Sequence, residues 1–573
     1  MWLSIKIASF KELYMSVLRP NRLIVTEGRP QIADLDTLPQ LDRGLIDYEK
    51  YHQYIGQSGI QNCFTVQGSR GCPYRCVYCD VISLTPQIYR RSAEHLLDEV
   101  KYLYSIGVRH IEFIDDIFNV NKKLFILFFK LVIKNKLKLN FYFQSGLRGD
   151  ILTAEAIDVM AEGGVKSANL SLESASPRLQ KLMKKNLDID KFKVNLDYIV
   201  DQHPEIIVGL NAMHGFPTET EEEAKATVEF IKDVKWIHFA QLHNVRIFPN
   251  SPIEKIALEN NVTKEQIEES LTMPYHLIPT TSPFDHDFSK RLRFDFVRNY
   301  VMNQERLKYV LKKQLEICTE KEIMFKYQSY FPSQIHSLDD ILKLARLKRG
   351  DIDISKQPKE VGGDIQYPSP RKLEKIRSKE VPPLKILYID ATQFFTDDDR
   401  SELRIVEPPL GMLALLTYMN EKFQDKVEGK IIKSMVDYDS YAEFIDILNA
   451  FKPDLIGIRT MSYYKNLFTD TVQHIRKYFP NTPIIAGGPH PTIDYENVLR
   501  ENDIQAVVIG EGEITNEEII KGMIENNNKY PSEDMLNKIK GLAYLTSSKE
   551  TVEAPSASKW KPFSRIPLTE EQL

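Results

Sequence analysis

The sequence is short of the features that would mark a secreted, membrane-spanning or nucleic-acid-binding chain. Only five of its 573 residues are cysteine, and three of those crowd together as Cys72, Cys76 and Cys79. That is no disulfide framework, so a cytoplasmic setting is expected. No apolar run is long enough to cross a bilayer. The opening Met1-Trp2-Leu3-Ser4-Ile5-Lys6 is soon interrupted by Lys11 and Glu12 and reads as neither a signal peptide nor a span. Neither sign of charge dominates: 75 Lys and Arg face 80 Asp and Glu, a net charge of −5, which gives no reason to expect nucleic acid as a partner. With 42% hydrophobic and 27% charged residues the chain is ordinarily globular, and it is too long for one core, so two or three domains are expected.

The clustered cysteines organise the rest. Gly71-Cys72-Pro73-Tyr74-Arg75-Cys76-Val77-Tyr78-Cys79-Asp80 has the spacing C-x3-C-x2-C. Such a loop can turn three soft thiolates toward one place, suiting zinc or an iron–sulfur cluster. Structural zinc wants four protein ligands, and the available fourth is Cys63, in the strand-like Cys63-Phe64-Thr65-Val66-Gln67. There it reads as a small buried hydrophobe instead. Three thiolates on a four-iron cube would leave one iron open.

This run resembles the cluster loop of radical S-adenosylmethionine (SAM) enzymes, in which an aromatic residue precedes the third cysteine, as Tyr78 does here. The resemblance implies a [4Fe-4S] cluster on Cys72, Cys76 and Cys79, with SAM on the open iron. It also implies a partial (β/α)6, TIM-like barrel. Between about 60 and 250, strand candidates alternate with helical stretches: Cys63–Gln67, Val108–Ile114, Leu139–Gln144, Ser167–Leu172, Glu205–Leu210 and Gln241–Ile247. Functional groups of parallel barrels collect where such strands end.

Asp115 and Asp116 follow the second strand. They could hold a metal, accept from an ammonium, or cap the next helix. The segment resembles the family's binding site for the SAM amino group. Arg148, after the third strand, is either a carboxylate fork or a surface partner of Asp150. Basic residues there touch the SAM carboxylate in the family. Glu173 and Ser174 match part of the family's Gly-x-Glu-x-Gly-Ser stretch, with Ser171 and Ala175 in place of the glycines. Gly215-Phe216-Pro217-Thr218-Glu219-Thr220 resembles a turn of cobalamin-linked members. In physical terms it is a turn with Thr220 as helix cap and Glu221–Glu223 favouring the dipole. His214 reads as a packing residue. Arg246–Pro252 resembles the family's closing turn.

Residues 1–58 read as a lead-in and linker, resembling the segment that joins a cobalamin domain to a radical barrel. The barrel is expected over 59–290 and a helical extension and linker over 291–383, with a helical amphipathic pattern over Leu292–Leu315. Tyr275-His276 and Pro279–Pro283 are candidates for the substrate end. Cys318 is expected to be structural, and Gly362-Gly363 marks the linker. From 384 to 545 a second alternation begins: Leu384–Ile389, Lys430–Val436, Leu455–Ile458, Pro483–Ala486 and Ala506–Ile509, with helices between, predict a flavodoxin-like doubly wound domain. Its glycine turns Gly487-Gly488-Pro489-His490 and Gly510-Glu511-Gly512-Glu513, with Pro408-Pro409-Leu410-Gly411, resemble a cobalamin-binding domain. On that resemblance Gly487, Gly488, Gly510 and Gly512 would touch cobalamin. Ala391-Thr392-Gln393-Phe394 follows Asp390, so no Asp-x-His-x-x-Gly histidine is supplied as a cobalt ligand. His490 is not expected to take that part.

The tail, 546–573, echoes the N-terminal Leu23–Pro30. It is expected to belong to a longer alternating series or to work beside a second radical SAM or cobalamin-domain protein. The resemblance implies reductive cleavage of SAM and cobalamin-dependent methylation, radical rearrangement or cyclisation of a small-molecule substrate. A flavodoxin- or ferredoxin-type reductant would supply electrons. Aromatic strand residues such as Phe141-Tyr142-Phe143 are either core or walls for a planar substrate. The competing reading is a non-catalytic iron–sulfur redox or ligand sensor with a vestigial doubly wound domain. It has no need of groups at the strand ends.

Overall fold

The computed structural model describes residues 22–52, 54, 56–85, 87–234, 236–273, 277–328, 334–352, 365–368, 382–398 and 405–546, the side chains of Ile82 and Ser83 aside. Tyr275, His276, Gly362, Gly363 and the tail beyond 546 lie outside them. In chain order the strands are β1 (Leu23–Val25), β2 (Cys63–Val66), β3 (Ser69–Arg70), β4 (Tyr89–Arg90), β5 (His110–Phe113), β6 (Asn140–Leu147), β7 (Val165–Glu173), β8 (Ile207–His214) and β9 (Phe239–Asn244). Then come β10 (Leu384–Ala391), β11 (Val427–Lys433), β12 (Leu455–Thr460), β13 (Ile484–Gly487), β14 (Ala506–Val508) and β15 (Leu542–Leu545).

The first sheet runs β2-β5-β6-β7-β8-β9, every neighbouring pair parallel, and is an open six-stranded TIM-like barrel. Two strands outrun their apolar stretches. The expected ends at Gln144 and Leu210 move to Leu147 and His214, because backbone pairing continues there, Leu147 opposite Leu170 and His214 opposite Asn244. Alternation decides the faces. Phe113, Phe141 and Phe143 point outward and pack with Phe118, Phe125, Phe128 and Phe129 under the helices Ala93–Ser105 and Lys122–Lys134. Phe113 and Phe143 stack at 5.0 Å. These aromatics are core, so they are not walls for a planar substrate.

The helical pattern over Leu292–Leu315 is carried by two helices, His286–Phe296 and Gln304–Leu315. A wide turn over Val297–Val301 intervenes, and Asn303, in extended conformation, caps the second helix by accepting from Arg306 N. The amphipathic period survives a break that only the capping geometry reveals.

The second sheet runs β1-β15-β14-β13-β12-β10-β11. Its five parallel strands have the flavodoxin-like order, and the reversal lies between β10 and β12. β15 is antiparallel to β14, and β1 is antiparallel to β15, with Leu23 opposite Leu545. The N-terminal lead-in is therefore no free linker. It completes the C-terminal domain's sheet and then crosses to the barrel, where Asp36 accepts from Ser92 N.

Candidate active site at the domain junction

The cysteine loop is closed at its stem and docked at its tip. β3 and β4 pair antiparallel across it, Ser69 opposite Arg90 and Arg70 opposite Tyr89. Gly71 turns the chain at φ 83°, where an added Cβ would lie 2.1 Å from the Gln87 carbonyl oxygen, so only glycine fits. Val77 N donates to Met183 O at 3.0 Å and Val77 O accepts from Ile253 N at 3.1 Å, fixing the tip between segments that follow β7 and β9. The Val77 side chain is buried with Leu179, Met183, Phe216 and Ile253.

All three loop cysteines are free thiols. Burial pushes the Cys72 and Cys76 thiols up, and that of Cys79 up to about 12. Cys76 adds to the rise at Cys72, and Cys76 and Cys72 add to the rise at Cys79, so the three sit near one another. Structural zinc takes four protein ligands, whereas a four-iron cube can take three thiolates, each on its own corner. Cys63 begins β2, at the far end of that strand from the loop, and its thiol is raised by burial. The donor set fits the cluster and not zinc.

Most of the acids and bases expected around SAM turn out to hold backbone. Asp115 accepts from Gly68 N at 3.0 Å and Ser69 Oγ at 2.5 Å, and burial raises its pKa to about 6. Asp116 accepts from Gly71 N at 3.1 Å. Neither caps the next helix; Asn121 does. Arg148 is no surface partner. It is buried, donates to both oxygens of Asp150 and to the carbonyls of Lys185 and Asn186, and stacks 4.0 Å over the Tyr74 ring. Four of its five N–H groups are thus engaged, and its fork is not open to a carboxylate. Ser174 is fully buried against Thr227 and accepts from Ser176 N.

Glu173 keeps its place at the end of β7, in the left-handed region at φ 66°, a costly position for a residue other than glycine. Its carboxylate pairs with Lys185 Nζ at 2.8 Å. The sequence reading missed Lys185, since a lone lysine beyond a short helix carries no spacing signal. Tyr78 is half-buried, edge-on to Phe216 at 5.9 Å. His214 is buried and burial lowers its pKa to about 4, as suits a packing residue. Thr220 and Glu223 form a capping box. Ser282 closes a turn on Pro279 O.

The second domain brings bare backbone to the same place. A cavity of about 280 Å3, open to solvent, lies between the domains. Gln67, Arg70, Gly71, Thr85 and Asp116 wall it on the barrel side, and the turns Gly487-Gly488 and Gly510–Glu513 wall it on the other. It reaches down between the sheet, at Tyr388, Gly457 and Ile485, and helix residues Met412, Leu415 and Asn516. A Cβ added at Gly411 or Gly510 would meet nothing within 4 Å, so both leave open space for a large body. No histidine lines the cavity among the described residues, and His490 is buried outside it. Thr392 stands where a cobalt-ligating histidine would follow β10, and Asp390, near the end of that strand, sits buried between Lys433 Nζ at 2.8 Å and Arg459 Nη1 at 3.0 Å. Those cations hold its carboxyl down at about 2 despite burial. The space and its glycine walls fit cobalamin held without a histidine from this domain.

Residues 66–231 match the radical SAM superfamily model and residues 401–520 the B12 binding domain model. The chain carries a radical SAM domain and a B12-binding domain. The first implies a [4Fe-4S] cluster with SAM, and the second implies cobalamin. The chain is similar to an uncharacterised methyltransferase of Pyrococcus horikoshii, 29% identical over 48% of this chain and 58% of that one. It is also similar to the ribosomal protein uS12 methylthiotransferase of Histophilus somni, 24% identical over 39% of this chain and 55% of that one. It therefore spans little more than half the length of these relatives. The radical SAM methyltransferase TsrM from Kitasatospora setae aligns over 37% of this chain and 41% of its own at 18% identity, with a TM-score of 0.33, too distant to carry an argument. No helix among the described residues is long and apolar enough to cross a membrane.

Proposed function

We propose that this chain is a cobalamin-dependent radical SAM enzyme that methylates an unreactive carbon of a small-molecule substrate, drawing electrons from a flavodoxin- or ferredoxin-type protein. The observation that carries this reading is the shared cavity: the stem of the cysteine loop and the glycine turns of the second domain wall the same space. When bound, the reduced cluster supplies the electron that breaks a carbon–sulfur bond of SAM, and cobalamin supplies a methyl carrier. The chain's own part is to orient these groups and exclude water. Cys72, Cys76 and Cys79 would hold the cluster. Tyr78 and Glu173, the latter paired with Lys185, border the SAM side; Asp115, Asp116 and Arg148 act by fixing backbone. Gly411, Gly487, Gly488, Gly510 and Gly512 admit cobalamin. The strand sets support working domain limits of 59–290 and 384–545.

The test is anaerobic reconstitution followed by absorbance and electron paramagnetic resonance spectra, with and without SAM and hydroxocobalamin. A cluster signal that shifts with SAM, cobalamin retained through gel filtration, and release of 5′-deoxyadenosine are expected. Zinc in place of iron, or a cluster indifferent to SAM, would contradict the reading.

A further inference from the structure

We infer that Arg70 is a positioning residue that links the two cofactor faces, so that filling the glycine-turn side and ordering the cysteine loop favour each other. The inference rests on the cobalamin-dependent reading above. Arg70 lies in β3, the stem of the cysteine loop, immediately before Gly71 and Cys72. Its guanidinium spans the junction: Nη1 donates to Glu511 Oε1 at 3.1 Å and Nη2 to Glu513 Oε1 at 2.7 Å. Glu511 is held from behind as well, its Oε2 accepting from Ile32 N of the lead-in at 2.7 Å. All three charged side chains are largely buried, at 18%, 13% and 5% exposure.

The placement gives this bridge its consequence. Arg70, Gly71 and the whole turn Gly510-Glu511-Gly512-Glu513 line one cavity. A large body seated against the turn fixes the two carboxylates, and these fix a planar, forked cation. The cation's backbone leads directly into the Gly71 turn, whose N–H is already held by Asp116. Other ion pairs between the domains, Lys50 with Asp437 and Lys465 with Glu268, are more exposed and lie away from the cavity. Exposed pairs of that kind contribute little. Coupling between two sites is reciprocal in binding free energy, so it is readable without turnover.

The test is equilibrium titration of hydroxocobalamin into the full chain, with the cluster reconstituted and with it removed by chelation. It is done on the wild type, Arg70→Gln, Arg70→Lys and the double variant Glu511→Gln/Glu513→Gln. Cluster loading is expected to tighten cobalamin binding to the wild type at least about fivefold. That ratio is expected to fall toward one in Arg70→Gln and in the double variant, with iron content unchanged. Arg70→Lys, which keeps the charge but not the fork, is expected to lie between. A wild-type ratio of one, or an unchanged ratio in Arg70→Gln, overturns the link while leaving the enzyme reading in place. Loss of iron and of folded structure in all three variants marks the bridge as merely structural and also overturns it. A cluster-loaded wild type that retains no cobalamin overturns both.

Discussion

The two faces that meet at the cavity are made of different materials. On the barrel side, charged side chains do the holding: Asp115, Asp116, Arg148 and the Glu173–Lys185 pair pin the turns around the cysteine loop. On the other side the strand ends offer glycine backbone, with Glu511 and Glu513 turned onto Arg70 and Asp390 buried between Lys433 and Arg459. The contrast follows from what each face must do. A cluster loop needs three thiols kept in fixed positions, which takes many directional contacts. A broad flat ligand needs area and close approach, which side chains would obstruct.

The largest effects should come from the thiols. Cys72→Ala, Cys76→Ala or Cys79→Ala is expected to abolish the brown chromophore and SAM cleavage entirely, as read by iron analysis and 5′-deoxyadenosine release. Next comes the buried charge of the second domain. Asp390→Ala strands Lys433, only 5% exposed, and should cost about 3–5 kcal/mol in urea unfolding at neutral pH. A loss below about 1 kcal/mol would show that the cluster is not an interior ion pair.

The third prediction separates binding from stability. In Gly411→Leu the new side chain enters open space on a helix, so folding should be unharmed or gain up to about 1 kcal/mol. Cobalamin affinity should nonetheless fall at least about tenfold, or 1.4 kcal/mol. Unchanged affinity would remove Gly411 from the binding face. The smallest effect lies away from the cavity, where His238 accepts from Val208 N and burial, helped by Arg306, lowers its pKa to about 3. Folded His238 stays neutral, while the unfolded imidazole takes up a proton below its usual value near 6.5. Its contribution is full above 6.5 and is lost as pH falls toward 3. The stability gap between wild type and His238→Gln should therefore narrow by up to about 1.4 kcal/mol per pH unit below 6.5.

Much of this was legible in the sequence, for physical reasons. Strands and helices announced themselves by period, so eleven expected strands reappear within a few residues of their places. The cysteine spacing and the glycine turns are local patterns and needed no partner to be read. What stayed hidden depends on contacts far apart in the chain. The β1–β15 pairing joins Leu23 to Leu545, so the lead-in to the barrel is in space the outer strand of the following domain. The lead-in therefore touches the cobalamin-type domain, although that domain follows the barrel in the chain. Lys185, Arg70 and Arg459 were missed because a lone basic residue reveals nothing until its acid is located. Of the two readings of Arg148, the pair with Asp150 is legible because the acid lies two residues on, whereas its burial is not, because the carbonyl partners at Lys185 and Asn186 lie almost forty residues on.

The central claim is that cluster and cobalamin face each other across one cavity, and magnetic coupling tests it most directly. Reconstituted chain holding both the reduced cluster and cob(II)alamin would be studied by continuous-wave and pulsed electron paramagnetic resonance. The account predicts two paramagnets that broaden and relax one another, with the interaction weakened in Gly411→Leu as cobalamin is lost. Two independent signals, from a chain that binds both cofactors in full, would place cobalamin elsewhere and contradict it.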